Sequence, residues 1–470
     1  MDGELPKGTA RRFMKMASLP VGFAGRTAFG LARRLAGGAE DLIRTEIEER
    51  TARQLFAVLG ELKGGAQKFG QVLSVMESAL PEHLVRPYRA ALTSLQESGP
   101  ALPVRTVHAV LREHLGEDWR ESLPEFGDKP VATASIGQVH RGRWRDGREV
   151  AVKVQHPGAA EALASDFGHL IRISPIIDRV TGGELNVKEI VAELRARTIE
   201  ELDYLHEAES QAVFAKAFAD DPDFLVPAVV EATERVLVTE WLDGTPASAV
   251  MADGTQEDRN RLGLLLARFN HAGPNRCGLL HADPHPGNFR LTGDGRLGVL
   301  DFGAVVRLPD GPIPSMGQMI RACVDGDPER MVALMREAGL LRERRGGRSG
   351  GSGEPEDWGW LTRSLEMLVQ PLVEEVFTFD RAWLREAVRR ATLTKDAEVL
   401  RERMVMLPEH VQLQRVWMAE MAMLSQLGAR IPYRAEAVAG MPGFAAEAAA
   451  PDAAAPDAVA PGAVAPSRDS

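Results

Sequence analysis

The stretch LLHADPHPGNFRLTGDGRLGVLDFGAV, Leu279 to Val305, carries an Asp, an Asn and a second Asp on one short piece of chain. Asp283 is followed five positions later by Asn288, then by a short strand, a GDG turn at Gly293 to Gly295, an apolar strand Leu297 to Leu300, and Asp301-Phe302-Gly303. Phosphoryl transfer asks little covalent chemistry of a protein; it needs metal ions, held phosphates and a residue that positions or deprotonates the nucleophile. Asp283 is the candidate base, in a loop that Pro284 and Pro286 keep from continuing as helix. Asn288 offers an amide oxygen and Asp301 a carboxylate, both hard ligands suited to Mg²⁺. Taken alone, Asp301 reads as a turn residue before Gly303. The coincidence of Asp283, Asn288, the hairpin and Asp301 favours the metal-binding reading.

Upstream, residues 131–155 change to a period of two. Val139, Arg141 and Arg143 alternate with His140, Gly142 and Trp144, Asp146-Gly147 supplies a tight turn, and Val150, Val152 and Val154 alternate again. Lys153 lies among these apolar strand residues and is the candidate contact to the α and β phosphates of ATP, provided an acidic partner orients it. Asp203 and Glu207 are four apart and are expected on one helical face, with Glu201 pointing elsewhere. The strand-to-helix order favours a Lys153–Glu207 pair. The loop expected to cover the phosphates, ATASIGQ from Ala132 to Gln138, contains a single glycine. Ala134, Ser135 and Gly137 are its candidate nucleotide contacts, and a Gly-poor loop restricts backbone approach to phosphate. Thr239-Glu240-Trp241-Leu242 follows a strand, so backbone groups at Glu240 and Leu242 are candidates to meet adenine.

At 470 residues the chain exceeds what one hydrophobic core normally serves, which predicts two lobes or a domain with helical additions. Helical periodicity runs from Ala39 to about Leu95, recurs at Val104 to Leu115, and is followed by a connector at Glu125 to Pro130. Leu185 to Phe218 is expected as a long helix, Val226 to Leu242 as two strands, Arg261 to Asn270 as helix, and residues 311–434 as helical throughout. Gly346 to Glu354 reads as a flexible loop, and the Ala/Pro/Asp tail from about Met441 as disordered. A formal net charge of −11 argues against nucleic acid as a partner. Two distant cysteines, Cys277 and Cys323, indicate neither a zinc site nor a disulfide framework and fit a reducing cytoplasm. Basic residues from Lys7 to Arg34 interleave with Phe13, Met14, Leu19 and Phe23, as in a peripheral membrane segment or a flexible basic tail. No stretch reaches the roughly 18 to 20 apolar residues that a spanning helix requires.

These residues resemble the UbiB/AarF family of atypical protein-kinase-like proteins, associated with isoprenoid quinone biosynthesis. The resemblance rests on Lys68-Phe69-Gly70-Gln71, ATASIGQVH from Ala132 to His140, VAVK ending at Lys153, ELDYLHEA from Glu201 to Ala208, HADPHPGN from His281 to Asn288, and Asp301-Phe302-Gly303. It implies an α+β, two-lobed protein-kinase-like fold with an N-terminal helical extension and a largely helical C-terminal lobe. The expected segments are 1–38 basic, 39–130 extension, 131–242 N-lobe, 243–434 C-lobe and 435–470 tail. By this resemblance Lys68 and Gln71 reach into the active site, Glu201 and Asp203 hold that extension, and Glu207 partners Lys153. ATP and Mg²⁺ are the implied cofactors, and an isoprenoid lipid or quinone-biosynthesis proteins the implied partners. Relatives often run three alanines together where this chain has Thr133, which bears on nucleotide preference. Many relatives also carry transmembrane helices near the C-terminus; the Ala/Pro tail here contains none, so a cytoplasmic or peripheral location is expected. Two alternatives to an ATP-dependent kinase or ATPase are a nucleotide-gated lipid- or partner-binding module and a small-molecule kinase of the aminoglycoside or choline type. The latter leaves Lys68 to Gln71 unexplained.

Overall fold

Alternation of buried valines decides the first lobe. In the computed structural model, which describes residues 101–445 except 134–135, 162, 166, 169–170, 172–191, 193–194, 196–201, 309–310, 312, 343–357 and 406–407, the chain starts with helices α1 (Val104–Leu115) and α2 (Trp119–Ser122). The calls on Lys68, Gln71, Ala134, Ser135 and Glu201 lie outside the described residues, as do those on the basic N-terminal segment, the Ala39 to Leu95 helix, the Gly346 to Glu354 loop and all but the start of the tail. Strands β1 (Glu125–Phe126), β2 (Ala132–Thr133), β3 (Gly137–Arg143) and β4 (Glu149–Gln155) follow. After helix α3 (Tyr204–Ala217) come β5 (Phe224–Leu225), β6 (Val229–Ala232) and β7 (Val236–Glu240).

Strands β1, β3, β4, β7 and β6 form an antiparallel sheet in that order, with β2 also paired to β3. Val150, Val152 and Val154 of β4 are fully buried on one face, against Val107, Val110 and Leu111 of α1 and Trp119 of α2. A period of two therefore sends Lys153 to the opposite face, where Val139 is its cross-strand partner. The segment expected as a connector is partly strand. Glu125 and Phe126 pair with Arg143 and Gly142, because the sheet edge offers them backbone partners.

The second lobe is built around a long helix. Strand β8 (Thr245–Pro246) and helix α4 (Ala247–Asp253) lead into α5 (Gln256–Cys277). Thr255 and Asp258 form a reciprocal cap at the start of α5. At its end Gly278 adopts a left-handed φ of 68°, where an added Cβ would lie 2.9 Å from the Leu308 carbonyl. That turn feeds β9 (Leu279–His281), a 3₁₀ turn (Pro286–Asn288), β10 (Phe289–Leu291), β11 (Leu297–Val299) and β12 (Val305–Arg307). Helices α6 (Pro314–Val324), α7 (Pro328–Glu337), α8 (Gly359–Val373), α9 (Arg381–Leu393), α10 (Lys395–Arg403), α11 (Pro408–Leu427) and α12 (Tyr433–Gly440) complete the chain. Residues 311–434 are not helical throughout, since β13 (Phe377–Thr378) and β14 (Arg430–Ile431) pair antiparallel within them. Phe377 and Ile431 are both buried there, and the pairing satisfies the backbone that this burial takes from water. Leu265, Leu266 and Phe269 of α5 join Phe289, Val299 and Phe302 and the apolar faces of α8, α9 and α11 in one core. Among the described residues no helix is long and apolar enough to cross a membrane.

One core residue is out of register with its surroundings. Glu420 of α11 is 3% exposed and hydrogen-bonds Asn270 and Tyr433. Burial pushes its carboxyl up to about 8, against the opposing pull of those bonds. Between the ordinary carboxylate range and that value the folded chain carries a proton that the unfolded chain has lost. Its stabilising contribution is thus complete below about pH 4.5 and lost as pH rises through about 8. Glu420→Gln is expected to raise the thermal midpoint at pH 9 by several degrees while changing it little at pH 5. Scanning calorimetry at the two pH values measures the difference.

Candidate active site

Two short antiparallel strands bring the ends of the opening stretch together. His281 of β9 lies opposite Val305 of β12, and the Ala282 N–H donates to the Ala304 carbonyl at 2.9 Å. The loop carrying Asp283 therefore leaves one strand beside the point where Asp301-Phe302-Gly303 enters the other. The β10–β11 hairpin joins them, and the Leu300 N–H closes it on the Asn288 carbonyl at 2.9 Å.

Within this frame the Asn288 Nδ2 donates to Asp283 Oδ2 at 2.7 Å and to the Asp283 carbonyl at 3.1 Å. A carboxylate only accepts, so the amide nitrogen must face Asp283, and Asn288 Oδ1 is directed elsewhere as an acceptor. Asp301 Oδ1 accepts from the Gly303 N–H at 3.0 Å, which orients the carboxylate locally.

Lys153 links the two lobes. Its Nζ donates to both carboxylate oxygens of Glu207 at 2.8 Å and to Asp301 Oδ2 at 3.3 Å. Glu207 is 1% exposed, and the Lys153 ammonium lies 5.0 Å from the Tyr204 ring centroid. Burial disfavours the ammonium, but Asp301 and Glu207 outweigh it and hold the group well above the usual lysine range. The partner that strand-to-helix order singled out is the one present. Asp203 departs from expectation: it does not share a helical face with Glu207 but stands outside α3 as its cap. Its extended backbone turns the carboxylate to accept from the Leu205 and His206 N–H groups at 3.1 and 3.0 Å.

The hinge residues divide. The Glu240 N–H donates to the Ala228 carbonyl and its carboxylate pairs with Arg148 at 2.9 Å, while the Trp241 N–H donates to the Glu149 carbonyl. Leu242 is buried against Gly298 of β11, where a Cβ would lie 2.6 Å from its Cδ2. At the start of β3, Gly137 packs so tightly that a Cβ would fall 2.6 Å from the Val154 carbonyl and 2.7 Å from the Tyr204 hydroxyl.

Residue-by-residue reading missed His281 and Tyr204. His281 is 2% exposed; its Nε2 bonds the Asp301 carbonyl, and its ring meets Phe302 edge-on at 5.5 Å. A carbonyl accepts, so Nε2 carries the proton. Burial keeps the imidazole neutral against the pull of Asp283. The signal was a histidine ending an apolar strand two residues before Asp283, a position where a polar ring must find a partner.

Lys153, Glu207 and Asp301 thus meet between an antiparallel sheet and a helical lobe, with Asp283 and Asn288 paired on the loop that leaves β9, the arrangement of a kinase-like protein. The ABC1 atypical kinase-like domain matches residues 94–335. The chain is 32% identical over 330 residues to the mitochondrial atypical kinase coq-8 of Caenorhabditis elegans, covering 67% of this chain and 42% of that protein. It is 31% identical over 345 residues to the mitochondrial atypical kinase COQ8B of Rattus norvegicus, covering 72% and 64%. The Rv3197–erythromycin complex structure from Mycobacterium tuberculosis matches with 42% identity and a TM-score of 0.62, over 87% of this chain and 100% of that one. The chain spans 42% to 64% of the length of these two curated relatives. It belongs to the ABC1 atypical kinase-like family, the UbiB/AarF group that its motifs resemble.

Removing Lys153 would leave Glu207 buried without its countercharge. Lys153→Met is expected to cost about 3 kcal/mol or more in urea unfolding, with Lys153→Met/Glu207→Gln recovering most of it. A loss in the double variant equal to the sum of the losses in Lys153→Met and Glu207→Gln alone would show that the pair carries no coupling.

Proposed function

We propose that the chain is an ATP- and Mg²⁺-dependent atypical kinase or ATPase. The observation that carries this reading is the meeting of the half-buried Lys153 with Glu207 and Asp301, together with an oriented Asp283–Asn288 pair. The donor chemistry suits Mg²⁺. Among the described residues no three His, Cys, Asp or Glu side chains cluster to cage a metal. Mg²⁺ prefers one or two protein oxygens completed by phosphates and water, which Asn288 Oδ1 and Asp301 would supply. When bound there, the ion would supply positive charge against the phosphates.

The chain's own groups then have separable tasks. Lys153, oriented by Glu207, binds phosphate oxygen as a fixed cation. Asp283, held by the Asn288 amide, orients the attacking hydroxyl or water and accepts its proton. His281 stays neutral and anchors the Asp301 backbone. With the Glu240 amide engaged by Ala228, the adenine contact falls toward Leu242. Ala134, Ser135 and Gly137 would cover the phosphates, and Lys68 with Gln71, supported by Glu201 and Asp203, would limit access to the site. The COQ8 names of the curated relatives support a place in quinone biosynthesis, and the basic residues from Lys7 to Arg34, interleaved with Phe13, Met14, Leu19 and Phe23, suit peripheral contact with a membrane.

The second reading is a ligand-binding module gated by nucleotide. The erythromycin in the Rv3197 complex favours it, since that relative matches along its whole length. Erythromycin or isoprenoid-lipid affinity that is equal with and without Mg·ATP would eliminate the gating.

Asp283→Asn is expected to lower Mg²⁺-dependent ATP turnover by about 10² to 10⁴ while leaving ATP affinity within about threefold. Unchanged turnover would remove Asp283 as the base. Asp301→Asn is expected to abolish the Mg²⁺ dependence of nucleotide binding and, in a complemented deletion strain, to leave the quinone pool as depleted as the deletion does. A restored pool would separate this cleft from the quinone pathway.

A further inference from the structure

The motif run from Ala132 to His140 contains two residues that the nucleotide reading does not use. Gly137 and Val139 lie on the Lys153 face of β3, and Gln138 and His140 alternate to the other face, where both are fully buried. They form a chain of hydrogen bonds. The Leu102 N–H donates to Gln138 Oε1 at 2.8 Å, Gln138 Nε2 lies 2.8 Å from His140 Nε2, and His140 Nδ1 lies 2.7 Å from the Gly127 carbonyl. Only one arrangement of protons satisfies every member. The Gly127 carbonyl accepts, so His140 Nδ1 carries the hydrogen and Nε2 must accept from the Gln138 amide; that leaves Gln138 Oε1 for the Leu102 N–H. Burial keeps the imidazole neutral against the Gly127 bond and Asp128. The groups around the ring are Phe126 of β1, stacked on it at 4.8 Å, with Asp128 and, on α1, His108, which pair with each other at 2.7 Å.

We propose that Gln138 is a positioning residue, which through this one-way relay from Leu102 to Gly127 holds β3 and the phosphate loop in the setting that binds nucleotide. The inference rests on the nucleotide reading above. On its front face β3 has no room to shift, because Gly137 already abuts Tyr204 and the Val154 carbonyl. The relay fixes its back face. It also ties β3 to the Leu102 backbone, just ahead of α1.

The test is titration with fluorescent Mg·ATP analogue at pH 8 and pH 6, alongside hydrogen-exchange mass spectrometry without nucleotide. Wild-type affinity is expected to be flat between the two pH values. Gln138→Met removes both ends of the relay and should weaken binding about tenfold at each. In Gln138→Glu the introduced carboxylate accepts from Leu102 but cannot donate to His140, so binding should weaken about tenfold at pH 8. At pH 6 an imidazolium can donate Nε2–H to that carboxylate, and binding should recover to within about threefold. Wild-type affinity in both variants, with only the thermal midpoint lowered, would reduce Gln138 to a structural role and overturn the proposal; so would a Gln138→Glu loss that ignores pH. If Gln138→Met does not fold, the pH response of Gln138→Glu decides. Wild-type protein that binds no nucleotide would overturn the nucleotide reading, and exchange then decides the relay alone. Amides at 102 and 136–139 should exchange faster together in the variants, and a rise confined to one end would overturn the linkage.

Discussion

A lysine ammonium taken out of water survives as a charge only where carboxylates replace its hydration, and the two that do so here come from different parts of the chain. Glu207 arrives on α3 and Asp301 on the turn after β11, so the position of Lys153 on β4 is defined relative to both lobes. Glu207 is itself buried and has Lys153 as its countercharge, which makes the pair costly to separate. The fold supports it from each side. Valines behind β4 fix which face Lys153 takes, and the Asp203 cap starts α3 one turn before Glu207.

The second constraint is backbone pairing under the cleft. Strands β9 and β12 are three residues each, yet their register sets the separation of Asp283 and Asp301. His281 adds a bond from one strand to the backbone of Asp301 and packs on Phe302. A neutral ring suits that position, because it can donate to a carbonyl without bringing another charge among three carboxylates and a lysine. The left-handed turn at Gly278 aims β9 at this place from the end of α5.

Much of this was legible in the residues. The alternating valines announced the hairpin that carries Lys153, and the Gly-Asp-Gly turn announced the hairpin between Asn288 and Asp301. The family followed from motif runs and stands. The two misread strand pairs share a cause. Glu125-Phe126 and the β13–β14 pair are two residues long, too short for a period to register, and each exists because a distant strand offers hydrogen bonds. Asp203 was placed by helical spacing, but spacing cannot tell the first helical residue from the cap before it.

Sequence alone determined which residue types are on hand: one lysine among valines, an Asp and an Asn five apart, and an Asp before Phe-Gly. It also determined local element type wherever burial repeats every second or every third to fourth residue. Strand-to-helix order had pointed to Lys153 and Glu207, but tertiary structure decided that they meet and which other groups join them. The Lys153–Glu207 bonds span 54 residues, the Lys153–Asp301 bond spans 148, and the Leu102–Gln138–His140 relay runs behind the sheet where no periodicity points. The reason is physical: hydrogen bonds and ion pairs act over a few ångströms, and only the packed chain places residues so far apart in sequence within that reach.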